Sequence, residues 1–367
     1  MDSEIEQVMD TVWSSSLERM MKKDIPPMRP SLGDFVDLYV PQIRTLLLME
    51  ANPVIVKVIY DAAYASASRN TFVIMKKLGM PADYFWKFEY WPRERAFETL
   101  RKVINKVFWT MMNRNKEGGL ELTGVEIEPV RFTIAFKDCV ECAGVSVNKA
   151  ICFYHTATFA GILASLINKE MDAYETKCRG RGDDSCVIVI GKRDDPEIVT
   201  QVREYLTPGK IEAKLDERLN TCLQGNQTRD MGNLVDIGYY NLMLLSSVLA
   251  NPELASQSTI NIGVDYGTRM MPVVSKYYQD NSLEVLKKYY SQLHHLDVKS
   301  IEQSGNDIII LLSECAEDTT RLKRQELVNF LFGELQGLIC GLLNKQVVYK
   351  ESSFEDNNLR IKFSLSI

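Results

Sequence analysis

Two thiols and one carboxylate surround a short loop near the middle of this 367-residue chain. In the segment YETKCRGRGDDSC, seven residues separate Cys178 from Cys186, and Glu175 lies three positions before Cys178. Thiolates and carboxylates bind borderline metal ions such as Zn²⁺, and a structural zinc site uses four protein ligands. The two glycines of the loop allow the chain to fold back, so the two sulfur atoms can approach each other.

A zinc site at this loop needs a bend in the chain and a fourth ligand. Glu175 and Cys178 would face opposite sides of a straight strand, so the strand must kink between them if both bind one ion. The fourth ligand is either Cys152, which precedes a predicted helix, or one of the pair Cys139 and Cys142. The competing interpretation is a glycine-rich hairpin whose cysteines bind nothing, because a seven-residue spacing is not a standard metal motif. The spacing alone leaves both interpretations open.

The cysteines are concentrated in one part of the chain. Five of the eight lie within 48 consecutive residues, which favours a shared role over five independent ones. Cys222, Cys315 and Cys340 lie outside this group and are predicted to be small, buried core residues. The acidic N-terminal segment lacks the pattern of a secretory signal, so we expect a cytoplasmic, reducing location in which disulfides are disfavoured.

Composition and charge exclude several classes of function. The chain is 46% hydrophobic and 25% charged, as in ordinary soluble globular proteins, and its formal net charge is −6. Nucleic-acid binding usually requires a basic surface, and no lysine- or arginine-rich stripe occurs, so we expect no direct contact with nucleic acid. No apolar run of about 18 residues occurs, so no membrane span is predicted. Apolar positions near the N-terminus have helical spacing and predict an amphipathic helix that ends before Pro26 and Pro27.

The sequence contains an internal duplication. At an offset of 199 residues, the segment 33–53 matches the segment 232–252. At an offset of 176, the segment 134–190 aligns without a gap with 310–366, so the second copy is shorter in its middle by 23 residues. Each copy predicts helices, a strand, another helix and two closing strands. The predicted fold class is therefore α+β, with two tandem domains that each pack helices on an antiparallel sheet.

The duplication also predicts the domain boundaries. Breaks such as Pro208-Gly209, together with the charged composition around them, mark a partly helical connector between the copies. The predicted units are an N-terminal helix and linker at 1–30, a first domain with the zinc site at 31–191, a charged helical connector at 192–231, and a degenerate second domain without the zinc-site cysteines at 232–367.

The internal comparison separates one cysteine of the group from the others. Cys139 meets Cys315 in the second copy, and a thiol retained where no metal site is expected favours a packed core residue. The remaining four thiols meet other residue types. Val328 stands opposite Cys152, Phe354 opposite Cys178, Lys362 opposite Cys186 and Asp318 opposite Cys142.

These residues resemble the 4-vinyl reductase domain family over roughly residues 30 to 191. The resemblance rests on Cys152, the motif Glu175-x-x-Cys178, and Cys186, with FKDCVECAG upstream and FAGILASLINK between them. Similar domains are the aromatic-sensing modules of phenol- and xylene-responsive activators, and a distant similarity reaches small subunits of vesicle-tethering complexes. The resemblance implies a zinc ion held by Cys152, Glu175, Cys178 and Cys186.

The resemblance also implies a function. We expect a zinc-containing protein that binds or senses a small hydrophobic or aromatic ligand and acts through a protein partner or a homodimer. The alternatives are a scaffold built on the paired copies and an accessory role in a tetrapyrrole-related reduction. No catalytic residue is predicted: the phosphate-binding loop G-x-x-x-x-G-K-[ST] and a dinucleotide fingerprint are both absent from the sequence. The candidate pocket residues are Trp86, Phe88, Trp91, Tyr154, His155 and Phe159.

Overall fold

The protein is described by a computed structural model. It is an α+β structure that contains two four-stranded antiparallel sheets and one two-stranded ladder. None of the described helices is long and apolar enough to cross a membrane. The described residues are 3–21, 26–77, 79–81, 83, 85–103, 120–249, 257–316, 325–355 and 358–366.

The helices and strands follow the order that the duplication predicts. In the first half, the helices are α1 (Ser3–Met21), α2 (Tyr39–Ala51), α3 (Ile55–Lys77), α4 (described over 93–103) and α5 (Phe153–Ile167), and the strands are β1 (Phe35–Asp37), β2 (Glu121–Ile127), β3 (Val130–Phe136), β4 (Met171–Lys177) and β5 (Cys186–Lys192). Then follow α6 (Pro196–Tyr205), α7 (Leu215–Leu223), β6 (Leu234–Asp236), α8 (Ile237–Leu249), α9 (Gln257–Tyr278), α10 (Val285–Gln292), β7 (Leu296–Ser304), β8 (Asp307–Cys315), α11 (Gln325–Leu343), β9 (Val347–Glu355) and β10 (Asn358–Leu365).

The two large sheets have the same strand order. The first runs β2-β3-β5-β4 and the second runs β7-β8-β10-β9. In each half a long helix joins the second strand to the third: α5 packs on α3 and β4, and α11 packs on α9 and β9. Every residue of α5 is buried, as expected for a helix that is apolar on nearly all sides. Both helices end at an asparagine with left-handed backbone, Asn168 and Asn344, which lie 176 residues apart.

A short ladder joins the two halves with local two-fold pseudosymmetry. β1 pairs antiparallel with β6, and the central pair is Val36 with Val235, which are 199 residues apart. On either side, the Leu38 N–H donates to the Asn233 carbonyl and the Ile237 N–H donates to the Asp34 carbonyl, both at 2.8 Å. The segments that match at this offset in the sequence therefore contact each other across a pseudo-two-fold axis.

The strand registers correct one sequence alignment. Phe136 pairs with Cys186 in the first sheet, and its equivalent Leu312 pairs with Leu359 in the second. The counterpart of Cys186 is therefore Leu359, and the prediction of Lys362 is wrong. The reason is that seven residues join the paired thiol positions in the first hairpin, whereas four residues join Phe354 to Leu359. A gap-free alignment cannot detect this shortening of the turn.

The N-terminal helix and the connector contact both halves. α1 packs on α3 and on α8 and buries Met9 and Trp13, so it bridges the two copies within one chain. Residues 22–25, between this helix and the predicted break at Pro26, lie outside the described residues. The connector is helical at α6 and α7, with the predicted interruption at Pro208-Gly209 between them. α6 packs on β4 and β5, and α7 packs on α2 and α9.

Candidate metal centre

Six potential ligands come together where four segments of the first half meet. Cys152 is the N-cap residue of α5, and Cys186 is the first residue of β5. Glu175 lies on β4, and Cys178 follows the end of that strand. The other two thiols lie in the loop after β3. All six side chains are buried: Cys139, Cys142, Cys152, Glu175, Cys178 and Cys186.

A β-bulge turns the acid and the first thiol of the hairpin toward the same place. On β4, Glu175 pairs with Ile188, and Lys177 pairs with Val187, so one residue is skipped between them. A bulge of this kind bends the strand and re-aims the following side chains. The kink predicted between Glu175 and Cys178 is confirmed, and both residues belong to one group of convergent ligands.

The loop between the two thiols is shaped by backbone conformation and by Asp183. A short 3₁₀ turn covers Arg179–Arg181, and Gly182 follows with φ = 99°, a left-handed conformation that glycine adopts readily. The Asp183 carboxylate accepts a hydrogen bond from the Cys178 N–H at 2.8 Å and another from the Arg181 side chain at 2.8 Å. The hairpin loop therefore folds back onto its own first thiol.

The distances between the sulfur atoms fit a tetrahedral metal ion. Cys152 Sγ lies 3.9 Å from Cys178 Sγ and 3.8 Å from Cys186 Sγ. A tetrahedron with Zn–S bonds of about 2.3 Å has edges of about 3.8 Å. Together with Glu175, these atoms all lie within 4.8 Å of one another. The set predicted from the sequence can thus surround a single ion.

The Glu175 carboxylate has one oxygen that the protein leaves unsatisfied. Its Oε2 accepts the Cys152 N–H at 3.1 Å, whereas its buried Oε1 has no hydrogen-bond partner. Burial raises the pKa of Glu175 well above its ordinary value, and the nearby charges of Cys178 and Cys139 raise it further. A buried oxygen without a partner is costly. A bound cation would supply that partner, so the residues present fit a metal ion.

A second group of four ligands overlaps the first. Cys139, Cys142, Cys152 and Cys186 also lie within 4.8 Å of one another through their sulfur atoms. Cys139 Sγ is 3.4 Å from Cys152 Sγ, and Cys142 Sγ is 3.3 Å from Cys186 Sγ. Cys139 is fully buried, as its interpretation as a core residue requires, but it also belongs to the thiol cluster. The structure describes all eight cysteines as free thiols.

The thiols perturb one another's protonation. Hydrogen bonds from the neighbouring sulfurs of Cys142, Cys152 and Cys186 hold the pKa of Cys178 far below its ordinary value. Burial, followed by the surrounding thiols, raises the pKa of Cys152 well above its ordinary value. The first negative charge of the cluster is therefore expected at Cys178, which is the thiolate best prepared to bind a cation.

The segment that contains this cluster matches a known family. The family model of the 4-vinyl reductase domain covers residues 132–192, a stretch that begins in β3 and ends in β5 and includes all six potential ligands. Residues 132–192 are a 4-vinyl reductase domain. The resemblance predicted from the sequence is confirmed for this segment.

Two further similarities concern larger parts of the chain. An uncharacterized protein of Methanocaldococcus jannaschii is 26% identical over 186 residues, which cover 48% of this chain and 92% of the relative. A crystal structure of a trafficking protein particle complex subunit 3 from Naegleria fowleri, covalently bound to palmitic acid, is 16% identical. It matches 53% of this chain and 98% of that chain with a TM-score of 0.27. At that TM-score the similarity supports no inference about this protein.

The 4-vinyl reductase domain contains a buried acid and histidine that sequence reasoning did not combine. Glu141, between Cys139 and Cys142, accepts the Tyr154 N–H at 3.1 Å and the His155 N–H at 2.6 Å, which caps the start of α5. Its carboxylate also lies 2.6 Å from the ring Nδ1 of His155. Burial raises the pKa of Glu141, and the charge of His155 partly opposes this. The available signal was an acid placed inside a C-x-x-C pair.

A stack of rings leads from the 4-vinyl reductase domain to the second half. His155 stacks on Phe159 with ring centroids 6.0 Å apart and on Tyr239 with centroids 5.7 Å apart. Phe136 contacts both His155 and Phe159 edge-on. Because Tyr239 lies on α8 of the second half, the thiol cluster, Glu141 and the interface between the halves are connected through His155.

The six predicted pocket residues form two groups. Tyr154, His155 and Phe159 are buried near the start of α5. Phe88 is buried and packs on Phe132, with centroids 5.8 Å apart. Trp91 is partly buried and packs on Phe85, whereas Trp86 is 43% exposed. Their role in ligand binding stays a prediction.

A small cavity lies between the two halves beside the 4-vinyl reductase domain. Its volume is about 20 Å³, enough for about one water molecule. The charged groups Arg44 and Glu334 face it from opposite halves, and Arg44 donates to the Leu327 carbonyl at 2.8 Å. Aromatic residues from both halves complete the lining: Tyr39, Tyr240, Tyr266, Tyr289, His295 and Phe330.

Proposed function

We propose that this chain is a cytoplasmic, zinc-stabilised binding protein that senses a small hydrophobic or aromatic ligand and acts through a partner. The observation that carries this proposal is the convergence of Cys152, Glu175, Cys178 and Cys186 in one buried site. That site adjoins a ring stack that reaches the second half. The family match over residues 132–192 supports the same conclusion.

Zinc has a structural role in this proposal. When bound, it would neutralise buried thiolates and hold the β4–β5 hairpin against the start of α5. Four protein ligands leave no open position for a substrate or water, so the site is not expected to catalyse hydrolysis. The domain boundaries at 31–191 and 232–367 are part of the proposal, with the second copy as a permanent partner of the first.

The loop with the other two thiols connects the site to the rest of the chain. The Gln42 side chain donates to the carbonyls of Val140 and Ala143 at 3.0 Å, and Arg218 of the connector donates to Gln42 at 3.0 Å. The Asp138 carboxylate accepts backbone N–H groups at residues 230 and 231. A shift of this loop would therefore be transmitted to the connector, which is the route we propose for signalling.

The ligand would enter the ring stack at α5. His155 and Glu141 are the buried polar groups at this position and can exchange hydrogen bonds with a hydroxyl group, while Phe159 and Tyr239 offer ring faces. The nearby cavity of about 20 Å³ is far smaller than the roughly 150 Å³ that accommodates a benzene ring. Binding must consequently separate the rings, and this movement would reach α8 through Tyr239.

The zinc part of the proposal is tested by metal analysis and chelation of the full chain. We expect zinc to copurify and a strong chelator to destabilise the 4-vinyl reductase domain by about 3–5 kcal/mol, because buried thiolates and Glu175 lose their counter-charge. This loss corresponds to a decrease in Tm of about 10 °C. Cys178→Ser should release the ion, whereas Cys315→Ser should leave the metal content unchanged. A metal-free chain with an unchanged Tm after chelation would refute the zinc site.

The ligand part is tested by dye displacement with phenol as the probe. We expect an apolar fluorescent dye to bind the full chain, and phenol to displace it. Phe159→Ala should change the affinity for phenol several-fold because it alters the ring stack, while Tyr90→Ala, at a position 84% exposed, serves as the control. Absence of any apolar site in the wild-type chain would contradict ligand sensing.

A scaffold is the second candidate, and the ladder between the halves favours it. Arg29 is buried and donates to the carbonyls of Phe35, His294 and His295 at 2.7–3.0 Å, which fixes the two copies together. A chain that binds no dye but forms a complex of fixed stoichiometry with a protein partner or with itself would support this role. An accessory role in tetrapyrrole reduction rests on the family name alone.

A further inference from the structure

Two thiols of the cluster have no role in the proposed zinc site. Cys139 and Cys142 are fully buried, and each approaches a different ligand of that site, Cys152 and Cys186 respectively. A buried thiol without a function is ordinarily surrounded by carbon. Here two of them lie among three further sulfur atoms, and this arrangement requires an explanation.

The two groups of potential ligands share one edge. Cys152 and Cys186 belong to both groups, and their sulfur atoms are 3.8 Å apart. Glu175 and Cys178 complete the first group, while the thiols at 139 and 142 complete the second. Each group has four ligands, which is the number that Zn²⁺ and similar thiophilic divalent ions require. Two tetrahedra that share an edge describe the whole cluster.

We propose that the cluster binds a second divalent, thiophilic metal ion, and that the Cys152 and Cys186 thiolates bridge the two ions. This inference rests on the first metal site of the proposed function. Glu175 and Cys178 are the terminal ligands of the first ion. Cys139 and Cys142 are the terminal ligands of the second ion.

The charge of the cluster supports two ions rather than one. Five thiolates and one carboxylate would carry six negative charges in a buried site, and one divalent ion would offset only two of them. Buried charge without compensation is strongly unfavourable, so with one ion the remaining thiols must stay protonated. A second divalent ion displaces those protons and leaves two net negative charges. The start of α5 and the Arg179 N–H, 3.5 Å from Cys186 Sγ, face this residual charge.

The backbone around the second pair of thiols has the form of a metal-binding turn. The Ala143 N–H donates to the Cys139 carbonyl and the Val145 N–H donates to the Cys142 carbonyl, both at 3.1 Å. The spacing C-x-x-C is common among structural zinc ligands, since a turn of this length directs both sulfurs to one side. The sequence had assigned Cys139 to the core because the second copy retains a cysteine there, and the position of its sulfur now gives it a ligand's role.

The hairpin loop approaches this turn as closely as its residues permit. A Cβ atom added at Gly180 would lie 3.1 Å from the Cys142 Cβ and 3.0 Å from a methyl group of Val147. The Val147 N–H also donates to the Gly180 carbonyl at 2.9 Å. Glycine at 180 therefore lets the two thiol-bearing loops come together. The hairpin contributes one terminal and one bridging thiol to the shared cluster, and the loop after β3 contributes two terminal thiols.

Two distances set the change that metal binding requires. The contacts of 3.4 Å between Cys139 and Cys152 and of 3.3 Å between Cys142 and Cys186 are shorter than the tetrahedral edge. Entry of the second ion would lengthen both by about 0.4 Å to reach the edge of about 3.8 Å. Both of the thiols that must move lie in the loop after β3 rather than in a strand.

The experiment measures metal stoichiometry in the full chain purified under reducing conditions with added Zn²⁺ and without chelator. We expect two ions per chain by elemental mass spectrometry. Cys142→Ser should lower the content to one, because the first ion keeps Cys178 and Glu175. Cys222→Ser removes a buried thiol outside the cluster and is the matched control, with two ions retained.

Cadmium substitution tests the bridging thiolates without any mutation. The ¹¹³Cd NMR spectrum of the full chain should contain two resonances of equal intensity that are scalar-coupled through the shared sulfur atoms. Two resonances without mutual coupling would overturn the bridge, and a single resonance would overturn the second site.

The possible failures distinguish this inference from the proposed function. One ion that is lost in Cys178→Ser and retained in both Cys139→Ser and Cys142→Ser would overturn the second site and leave the first intact. Zero ions would overturn both. Detection of disulfides at Cys139 or Cys142 in the reduced preparation, by mass spectrometry of unreduced peptides, would also overturn the second site, because an oxidised sulfur pair cannot ligate the ion.

Discussion

The closing hairpins of the two halves solve the same packing problem with different chemistry. In the first half, the positions beside the start of α5 hold Cys152, Cys178 and Cys186, which bring polar ligands into a buried site. In the second half, the equivalent positions hold Val328, Phe354 and Leu359, of which Val328 and Leu359 are 1% and 2% exposed. The same strand order can therefore be closed by a metal site or by carbon packing alone.

The acid shows the same divergence. Glu175 is buried with one unsatisfied oxygen, whereas its counterpart Glu351 is exposed to solvent. A carboxylate at this position of the strand is consequently useful inside the protein only when a cation accompanies it. The comparison teaches that the metal ligands of this fold act as a set, since the second half lacks the thiols and turns its acid outward.

The second half achieves close helix packing instead. Cβ atoms added at Gly263 and Gly267 of α9 would lie 2.4 and 2.3 Å from backbone oxygens of α11, and one at Gly333 of α11 would lie 2.0 Å from a backbone oxygen of α9. In the first half, Gly161 makes one comparable approach to the Tyr64 carbonyl, at 2.4 Å. Glycine contacts allow two helix backbones to touch and increase the packed area there.

The largest expected effect comes from matched substitutions in the two hairpins. Cys186→Ala should abolish metal binding and destabilise the 4-vinyl reductase domain by about 3–5 kcal/mol, because the remaining ligands become uncompensated buried groups. Leu359→Ala should cost about 2–5 kcal/mol through the cavity it leaves, with the metal content unchanged. Hydrogen exchange of residues 171–192 and 347–365, together with metal analysis, measures both effects. Loss of metal in Leu359→Ala would show that the halves are not independent in this respect.

A smaller effect is expected at the helix contact of the second half. Gly263→Ala should destabilise the protein by about 1–3 kcal/mol, since the new methyl group overlaps the Phe330 carbonyl. In an open helix the same change would stabilise by about 1 kcal/mol, so the sign of the effect in chemical denaturation is decisive. Lys276→Ala, on the exposed side of the same helix, is the control and should change stability by less than about 0.5 kcal/mol. A stabilising Gly263→Ala would contradict the close approach.

The smallest expected effect sharpens the comparison most. The triple substitution Val328→Cys, Phe354→Cys and Leu359→Cys restores the thiols to the second half, where Glu351 already occupies the acid position. We expect no additional metal, because the hairpin turn is three residues shorter and Glu351 points to solvent. Metal analysis of the triple variant gives the answer. An additional bound ion would show that ligand identity, rather than the turn, separates the two halves.

Much of the fold could be predicted from the sequence because its patterns are local. The apolar segment of α5, the alternation in β3 and β8, and the glycine-rich turn all contain their own signals. The kink at Glu175 was also predictable, since an acid and a thiol three positions apart cannot otherwise share an ion. The domain boundaries remain predictions, although β1 and β6 pair at the offset found in the sequence.

The remaining features depend on contacts between distant segments. The counterpart of Cys186 was assigned incorrectly because strand register, and not sequence identity, determines which residues are equivalent. The link from Glu141 through His155 to Tyr239 joins residues nearly 100 positions apart, and no spacing rule connects them. The approach of Cys139 and Cys142 to the predicted ligands depends on Gly180, whose importance is a matter of space rather than of pattern.

The reciprocal ladder between β1 and β6 has a consequence for how the protein responds to dilution. Partners held by strand pairing normally separate when their concentration decreases, and their apparent stability changes with it. Here one polypeptide contains both sides, so Val36 meets Val235 at an effective concentration that the linking chain sets. The two halves can consequently diverge in sequence, one retaining thiols and the other losing them, without the risk that identical copies pair with each other instead.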